Sequence, residues 1–364
     1  NQNLLTDTNN IFGQPRSNGV IESESMVAEG KVIDAFLGTY GINPSKDYIV
    51  IASDSSTKDN FLTSLRLVYT LKYWGMDKKN LAFLNGSIKQ AFDNGELTTQ
   101  TVKNTEVKQE FAGIKYNFTD NTILQATLGD IIHIFQNGNT AFEKVTPIPS
   151  NGVQFIDARS SEEFAPLNQT GITTPPKGKS CTAGTNCKVP IEGRIKGAIN
   201  IDWSTLVRNA SANDYRFKSK EEIKLLFSNS GVSSDKQIIT YCDRGIRSSI
   251  VFFVSSSILG YATRLYDASW IEWSALAYDQ NGDGWSNLSA SSPWRTDRSG
   301  RTDAITYTSP ANTIVRYSFQ TSSSFSISSN KAIDADKDYI RGLSGSGSGG
   351  SSGASGGGGN ACGG

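Results

Sequence analysis

The sequence is poor in the residue that most often binds metals and transfers protons, because it has a single histidine, His133, in 364 residues. Positive and negative charge also cancel, with 35 lysines and arginines against 35 aspartates and glutamates. A balanced charge argues against a protein that binds nucleic acid. The sequence has no apolar run long enough to span a bilayer, so no transmembrane segment is predicted. What remains is a globular protein of about two domains.

The composition also bears on the cellular compartment. The sequence begins at Asn1, and its polar residues are mainly Ser, Asn, Thr and Gly, with 19% charged residues. A processed chain with a weakly charged surface is typical of exported proteins. We therefore expect an extracytoplasmic location, which means periplasmic, cell-surface or secreted.

The most informative stretch surrounds Cys242, one of four cysteines. An apolar, β-branched run over 238–241 predicts a buried parallel strand that stops at this cysteine. Gly245 then breaks the backbone, and the apolar segment 248–259 predicts a buried helix. A thiol at a helix N-terminus beside Arg244 and Arg247 is expected to be a nucleophilic thiolate. The alternative is a structural cysteine buried at the end of a strand.

The segment Tyr-Cys-Asp-Arg-Gly-Ile-Arg-Ser at 241–248 resembles the active-site loop of rhodanese-type sulfurtransferases. Related phosphatases place five residues between the cysteine and the arginine, whereas this chain has four, which favours a sulfane-sulfur donor over a phosphate ester. The resemblance implies that Cys242 forms the persulfide. It assigns catalysis to Cys242, Arg247 and Arg244, and substrate binding to Asp243, Gly245, Ile246 and Ser248.

A second part of the resemblance lies upstream. Asp157 and Arg159 match the Asp-x-Arg that ends a rhodanese strand, where the pair is expected to order the cleft loops and to form an ion pair. Arg194 replaces the usual histidine of a later motif. By the same resemblance, Asp157, Arg159 and Arg194 are further substrate-binding candidates. Mercaptopyruvate-type members have an arginine where this chain has Glu163. The sequence therefore favours thiosulfate over 3-mercaptopyruvate.

An internal repeat determines the predicted architecture, because the order of strands and helices predicted around Cys242 recurs in the first hundred residues. Ser53 stands at the cysteine position of that first copy, so the copy is expected to be inactive. The predicted fold is α/β, with two tandem rhodanese-like domains, each a parallel sheet flanked by helices. The predicted segments are an inactive domain (1–117), a catalytic domain (118–295) with an inserted loop (165–192), a strand-rich C-terminal extension (296–342) and a flexible Gly/Ser-rich tail (343–364).

The other three cysteines allow several interpretations. Five residues separate Cys181 from Cys187, and a loop of that length can close a disulfide ring in an exported protein. The alternative is a redox pair that resolves a persulfide on Cys242. Cys362 is near the end of the Gly/Ser tail. It is either an inert thiol or a tethered acceptor that visits Cys242.

No cofactor is required by the predicted chemistry, but the segment 279–287 matches the first half of an EF-hand calcium loop. Its last position would be Ala290, which lacks the usual carboxylate. The segment is thus either a structural calcium site or a solvated turn, and the acidic run 334–338 is a weaker candidate. The proposed calcium ligands are Asp279, Asn281, Asp283, Trp285 and Asn287.

Two hypotheses on function follow. The first is a sulfurtransferase that moves sulfur from a small anionic donor to a thiol, cyanide or sulfite acceptor through a Cys242 persulfide. The second is an exported, non-catalytic binding or assembly protein built on a rhodanese scaffold, since a fold does not guarantee its usual activity.

Overall fold

The computed structural model describes most of the chain up to residue 277 and two short segments beyond it. The inserted loop with Cys181 and Cys187, the calcium-loop segment 279–287 and Cys362 lie outside the described residues. The described ranges are 11–19, 22–53, 57–96, 113–114, 119–138, 140, 143–164, 194–277, 296–297 and 330–342.

The first half of the chain contains an antiparallel hairpin and a separate parallel strand pair. Strands β1 and β2 form the hairpin, and β3 and β4 are the parallel pair. The order helix–strand–helix–strand is the one predicted for the first copy, but a complete tandem domain stays a prediction. The elements are β1 (Gln14–Ser17), β2 (Glu22–Met26), α1 (Gly30–Tyr40), β3 (Ile49–Ser53), α2 (Lys58–Tyr73), β4 (Leu81–Ser87) and α3 (Ile88–Asp93).

The second half alternates strands and helices around a central sheet. A π-helical turn over Val254–Ile258 extends the helix that follows Cys242. The elements are β5 (Gln125–Ala126), α4 (Leu128–Gln136), β6 (Val153–Asp157), α5 (Ser161–Phe164), β7 (Arg194–Ile195), β8 (Ile199–Asn200), β9 (Val207–Asn209), β10 (Asp214–Phe217), α6 (Lys220–Asn229), β11 (Gln237–Tyr241), α7 (Ile246–Phe253), β12 (Thr263–Tyr266), α8 (Ser269–Ala277), β13 (Thr296–Asp297) and α9 (Lys331–Ile340).

The central sheet has five parallel strands in the order β5-β12-β11-β6-β8. All five residues of β11 are buried, as expected for a strand covered on both faces. Several helices begin where side chains satisfy free backbone N–H groups. Ser219 and Glu222 form a capping box at α6, and Thr127 and Asp130 do so at α4. His133 is half-buried on α4, as predicted.

The two halves of the chain share a hydrophobic core. Leu65 and Val68 of α2 belong to one buried cluster with Ile250 and Val254, which line the helix after Cys242. This cluster also contains Cys242 itself. The first half therefore packs directly against the element that carries the predicted active-site loop.

The C-terminal extension contains a helix that the sequence analysis does not predict, α9 over residues 331–340. Residues 298–329, which make up most of the segment predicted to be strand-rich, lie outside the described residues, so those strands stay a prediction. The acidic run 334–338 is on this helix, where Asp336 is buried in an ion pair with Arg16 at 2.7 Å. Asp336 lies three and four positions after the buried Ile333 and Ala332, so it is on the packed face of the helix, whereas Asp334 and Asp338 are exposed.

Among the helices in the described part of the chain, none combines the length and the apolar character needed to cross a membrane.

Candidate active site

Cys242 occupies the position that the sequence predicts, immediately after β11 and before α7. Gly245 adopts a left-handed conformation, with φ +84°, and caps the helix that starts at Ile246. The neighbouring strand β6 ends at Asp157, which pairs in register with Tyr241. The loop thus lies at the carboxyl edge of the parallel sheet, where such folds bind ligands.

The side chain of Cys242 is more enclosed than a freely accessible nucleophile would be. The residue is 1% exposed and packs in a cluster with apolar residues such as Ile156 and Ile250. It is not in a disulfide. The thiol therefore has almost no solvent-accessible surface.

The backbone of the loop is held by the start of α8. The Cys242 N–H donates to the Ser269 hydroxyl at 3.3 Å, and the Trp270 N–H donates to the Cys242 carbonyl at 3.0 Å. Ile271 N–H likewise donates to the Asp243 carbonyl at 3.1 Å. Ser269 has φ +56°, which is uncommon for a residue with a side chain. These contacts make Ser269 part of the site, and the sequence analysis did not identify it.

Arg247 forms a bidentate ion pair with Glu163, at 2.7 and 3.0 Å. Asp243 approaches the same guanidinium at 3.9 Å. Burial lowers the pKa of Arg247. The hydrogen bonds to Glu163 and the charge of Cys242 raise this pKa, and together the raising effects outweigh burial, so the net shift is upward. Arg247 therefore remains a cation beside Cys242, and Glu163 balances part of its charge.

Glu163 is itself fixed by the first turn of α5. The Ser160 hydroxyl and backbone N–H donate to its carboxylate at 3.1 and 3.2 Å, and its own N–H donates to the Ser160 hydroxyl at 3.3 Å. This reciprocal arrangement is a capping box. The sequence interpretation noted the unusual carboxylate at position 163 but did not predict its partner.

The ion pair expected between Asp157 and Arg159 is present. Their side chains are fully buried and approach to 2.6 Å. The Arg159 guanidinium also lies over the ring of Trp270, at 4.5 Å from its centroid. A buried, paired arginine of this kind braces the loop framework after β6.

Arg194 is buried and lies against α5. Its guanidinium donates to the Phe164 carbonyl at 3.1 Å and stacks on the Phe164 ring, 4.4 Å from the centroid. Because Phe164 follows Glu163, Arg194 is close to the Glu163–Arg247 pair. Arg244 is half-exposed on the Cys242 loop.

Gly245 has no room for a side chain. A methyl group there would lie 2.4 Å from an Asp267 carboxylate oxygen and 2.8 Å from the Asp267 carbonyl. The Gly245 carbonyl accepts hydrogen bonds from the hydroxyls of Ser248 and Ser249, at 3.0 and 2.8 Å. Ile246 is half-buried at the start of the helix. The predicted substrate-binding residues of the loop are therefore together, with Ser248 turned to brace the backbone.

The sequence analysis did not identify Asp267 and Arg66, which contact this loop at Gly245. Asp267 follows β12 and thus lies at the same sheet edge as Cys242. Arg66 is fully buried in an otherwise apolar stretch of α2. The sequence signal that could have identified Arg66 is a single cation within an apolar stretch, because a buried charge needs a partner.

Comparison with known proteins agrees with this geometry. The model of the rhodanese-like domain family matches residues 144–276, which include β6, the Cys242 loop and most of α8. The matched region thus contains the central part of the candidate site.

A Haloferax volcanii protein that carries the provisional name thiosulfate sulfurtransferase is 30% identical over 241 residues, which cover 66% of this chain and 70% of that protein. A Mycolicibacterium smegmatis protein with the same provisional name is 41% identical over 85 residues, or 23% of this chain and 29% of that protein. The 3-mercaptopyruvate sulfurtransferase of Escherichia coli is 31% identical over 127 residues, or 35% and 38% of the two chains.

Among solved structures, the anaerobic ergothioneine biosynthesis enzyme from Chlorobium limicola aligns with a TM-score of 0.47 and 19% identity, over 68% of this chain and 54% of that one. So distant a likeness has no bearing on function. The family match around Cys242 and the haloarchaeal relative, by contrast, show that this chain belongs to the rhodanese-type sulfurtransferases.

Proposed function

We propose that this chain transfers sulfane sulfur from a small anionic donor to a thiol, cyanide or sulfite through a persulfide on Cys242. The observation that carries the proposal is the position of Cys242 between β11 and the N-terminus of α7, with the cation of Arg247 nearby. Backbone N–H groups at a helix start and a permanent cation stabilise a sulfur anion.

The proposed reaction has two steps. In the first, the Cys242 thiolate attacks the sulfane sulfur of thiosulfate, and the sulfur–sulfur bond of the donor breaks. Sulfite leaves with the electron pair of that bond, and Cys242 becomes a persulfide. In the second step, the acceptor attacks the outer sulfur, and the electron pair of the persulfide bond returns to the Cys242 sulfur. The thiolate is thereby regenerated.

Thiosulfate is the donor that we favour over 3-mercaptopyruvate. Binding of an organic carboxylate needs a cation directed at it, and the acidic Glu163 lies where α5 meets the Cys242 loop. Thiosulfate is small and doubly charged, so the amides of the loop suffice to hold it. The provisional name of the haloarchaeal relative supports the same choice.

The decisive experiment is an intact-mass measurement after incubation with thiosulfate. The wild-type chain should gain the mass of one sulfur atom, and the Cys242→Ser variant should gain none while it keeps its fold. Cys362→Ser is the matched control, because it removes another thiol, and it should still gain the sulfur. An adduct that persists in Cys242→Ser, on a peptide other than that of residue 242, would refute the assignment.

A second candidate function is favoured by the burial of Cys242, which is 1% exposed. On this alternative, the chain is a non-catalytic binding or assembly protein on the same scaffold. It predicts that the wild-type chain gains no sulfur from thiosulfate under any condition in which it stays folded.

A further inference from the structure

Arg66, a buried residue in the first half of the chain, contacts the Cys242 loop at Gly245. The guanidinium of Arg66 is completely enclosed, and each of its three nitrogens donates to an acceptor. The bonds run from Nε to the Phe12 carbonyl (3.1 Å), from Nη2 to the Ser25 carbonyl (2.7 Å) and Asp267 Oδ2 (3.0 Å), and from Nη1 to Asp267 Oδ1 (2.6 Å) and the Gly245 carbonyl (3.4 Å).

Asp267 joins both halves of the chain at this point. It follows β12 of the central sheet, and it accepts a hydrogen bond from the Val27 N–H at 2.7 Å in addition to those from Arg66. Its side chain and that of Arg66 are both fully buried. An ion pair in this environment persists only when all its groups are satisfied, which is the case here.

The pair determines where Gly245 can lie. A methyl group at Gly245 would be 2.4 Å from Asp267 Oδ1 and 3.2 Å from Arg66 Nη1. Gly245 is the capping residue of α7, three positions after Cys242. A shift of Gly245 would therefore redirect the first N–H groups of α7, on which the proposed anion stabilisation depends.

We infer that Arg66 is a positioning residue for sulfur transfer, so that the half of the chain without the reactive cysteine orients the reactive loop. The inference rests on the proposed function of Cys242. The planar fork of arginine is essential to it, because one group must bind a carboxylate and three backbone carbonyls in fixed directions. Lysine keeps the charge but lacks that fork.

The test compares Arg66→Lys with Arg16→Lys. Arg16 is a matched control, because it too is a buried arginine in a bidentate pair, with Asp336 at 2.7 and 2.9 Å. Its other hydrogen bonds go to the carbonyls of Val27 and Ala332 and not to the loop. Each variant replaces a bidentate guanidinium in the first half of the chain by an ammonium group, so both should lose similar thermal stability.

The two variants should differ in chemistry. Arg66→Lys should lower kcat for sulfur transfer by about 10- to 100-fold with a smaller change in KM, which is the usual effect of a misplaced reacting group. The pH at which the Cys242 thiolate forms should also rise, measured as the ultraviolet absorbance of each variant minus that of its Cys242→Ser counterpart. Arg16→Lys should stay within about twofold of wild type in kcat.

The inference is overturned if folded Arg66→Lys matches Arg16→Lys in kcat and in thiolate titration. If lysine prevents folding, Asp267→Asn retains the side-chain shape and is judged by the same two measurements. The thiolate titration does not require turnover. Failure of the wild-type chain to form a persulfide would therefore refute the proposed function, and in that case the titration alone would decide the positioning role of Arg66.

Discussion

Glu163 binds both terminal nitrogens of Arg247, at 2.7 and 3.0 Å, so a cation beside Cys242 already has a carboxylate partner. The pair joins α5 to α7 across 84 positions of sequence. Any anionic donor that approaches Cys242 meets the negative charge of Glu163 as well as the positive charge of Arg247. The pair should therefore weaken donor binding relative to a free arginine.

Glu163→Gln should strengthen thiosulfate binding. Glutamine can still accept the hydrogen bonds from Ser160 that order the first turn of α5. Removal of one negative charge beside a dianion should lower KM for thiosulfate about fivefold, and added salt should reduce the effect. The control is Asp214→Asn, which removes a carboxylate paired with Arg216 on β10. A KM for thiosulfate that is unchanged or higher in Glu163→Gln would contradict this account.

Asp157→Asn should destabilise the fold. The substitution leaves the Arg159 guanidinium buried without its charged partner, and the loss of one member of a buried pair costs about 3–5 kcal/mol. Urea unfolding monitored by tryptophan fluorescence measures the difference. Lys89→Met, which breaks an exposed pair with Asp93, should leave the unfolding midpoint unchanged. Equal midpoints for Asp157→Asn and wild type would show that the pair does not brace this loop.

Stability should fall as pH rises from about 5 to about 7, in part because of Glu272. Burial raises the pKa of this carboxyl from 4.5 to about 7, although the hydrogen bond from Tyr266 acts in the opposite direction. In this range the folded protein keeps a proton that the unfolded chain releases. The stabilisation by Glu272 is fully present below the pKa of this carboxyl in the unfolded chain and is lost as pH rises to its pKa in the folded protein. Between these two pKa values the free energy of unfolding falls by about 1.4 kcal/mol per pH unit.

Glu272→Gln tests this dependence, because glutamine is neutral at every pH. The slope of unfolding free energy against pH between about 5 and about 7 should be smaller in the variant than in wild type. Glu221→Gln on α6 is the matched control, since Glu221 is exposed, and it should keep the wild-type slope. Parallel curves for wild type and Glu272→Gln would disprove the role of this carboxyl.

Asp336→Asn should detach α9 from the first half of the chain. Asp336 accepts hydrogen bonds from both terminal nitrogens of Arg16 and from the Tyr73 hydroxyl at 2.7 Å. Its loss leaves the buried Arg16 charge uncompensated, which should cost about 3–5 kcal/mol in thermal or urea unfolding. Asp338→Asn on the exposed face of the same helix should cost nothing measurable. Similar midpoints for both variants would rule out the proposed attachment.

Several parts of the site could be predicted because their determinants are close together in sequence. The β-branched run of β11, the break at Gly245 and the apolar segment of α7 are short-range signals, and they placed Cys242 correctly. The pair of Asp157 and Arg159 is equally local, since two positions separate its members.

The C-terminal helix shows the limit of local patterns. The acidic run 334–338 was interpreted as a solvated segment or a weak calcium candidate because its charges suggest exposure. In the structure only one of its three aspartates is buried, and its partner is Arg16, 320 positions away. The charges of the run do not distinguish Asp336 from Asp334 or Asp338, and only the helical spacing of Asp336 from Ala332 and Ile333 puts it on the packed face.

The sequence by itself determined the strand, the turn and the helix around Cys242, and with them the family, because those elements depend on side chains within a few positions of one another. The tertiary structure alone decided which charges from distant parts of the sequence meet. Arg247 is paired with Glu163, and Arg66 with Asp267 across 201 positions. Such pairs depend on how distant segments pack, and burial then enforces them, because a buried charge without a partner is too costly to keep.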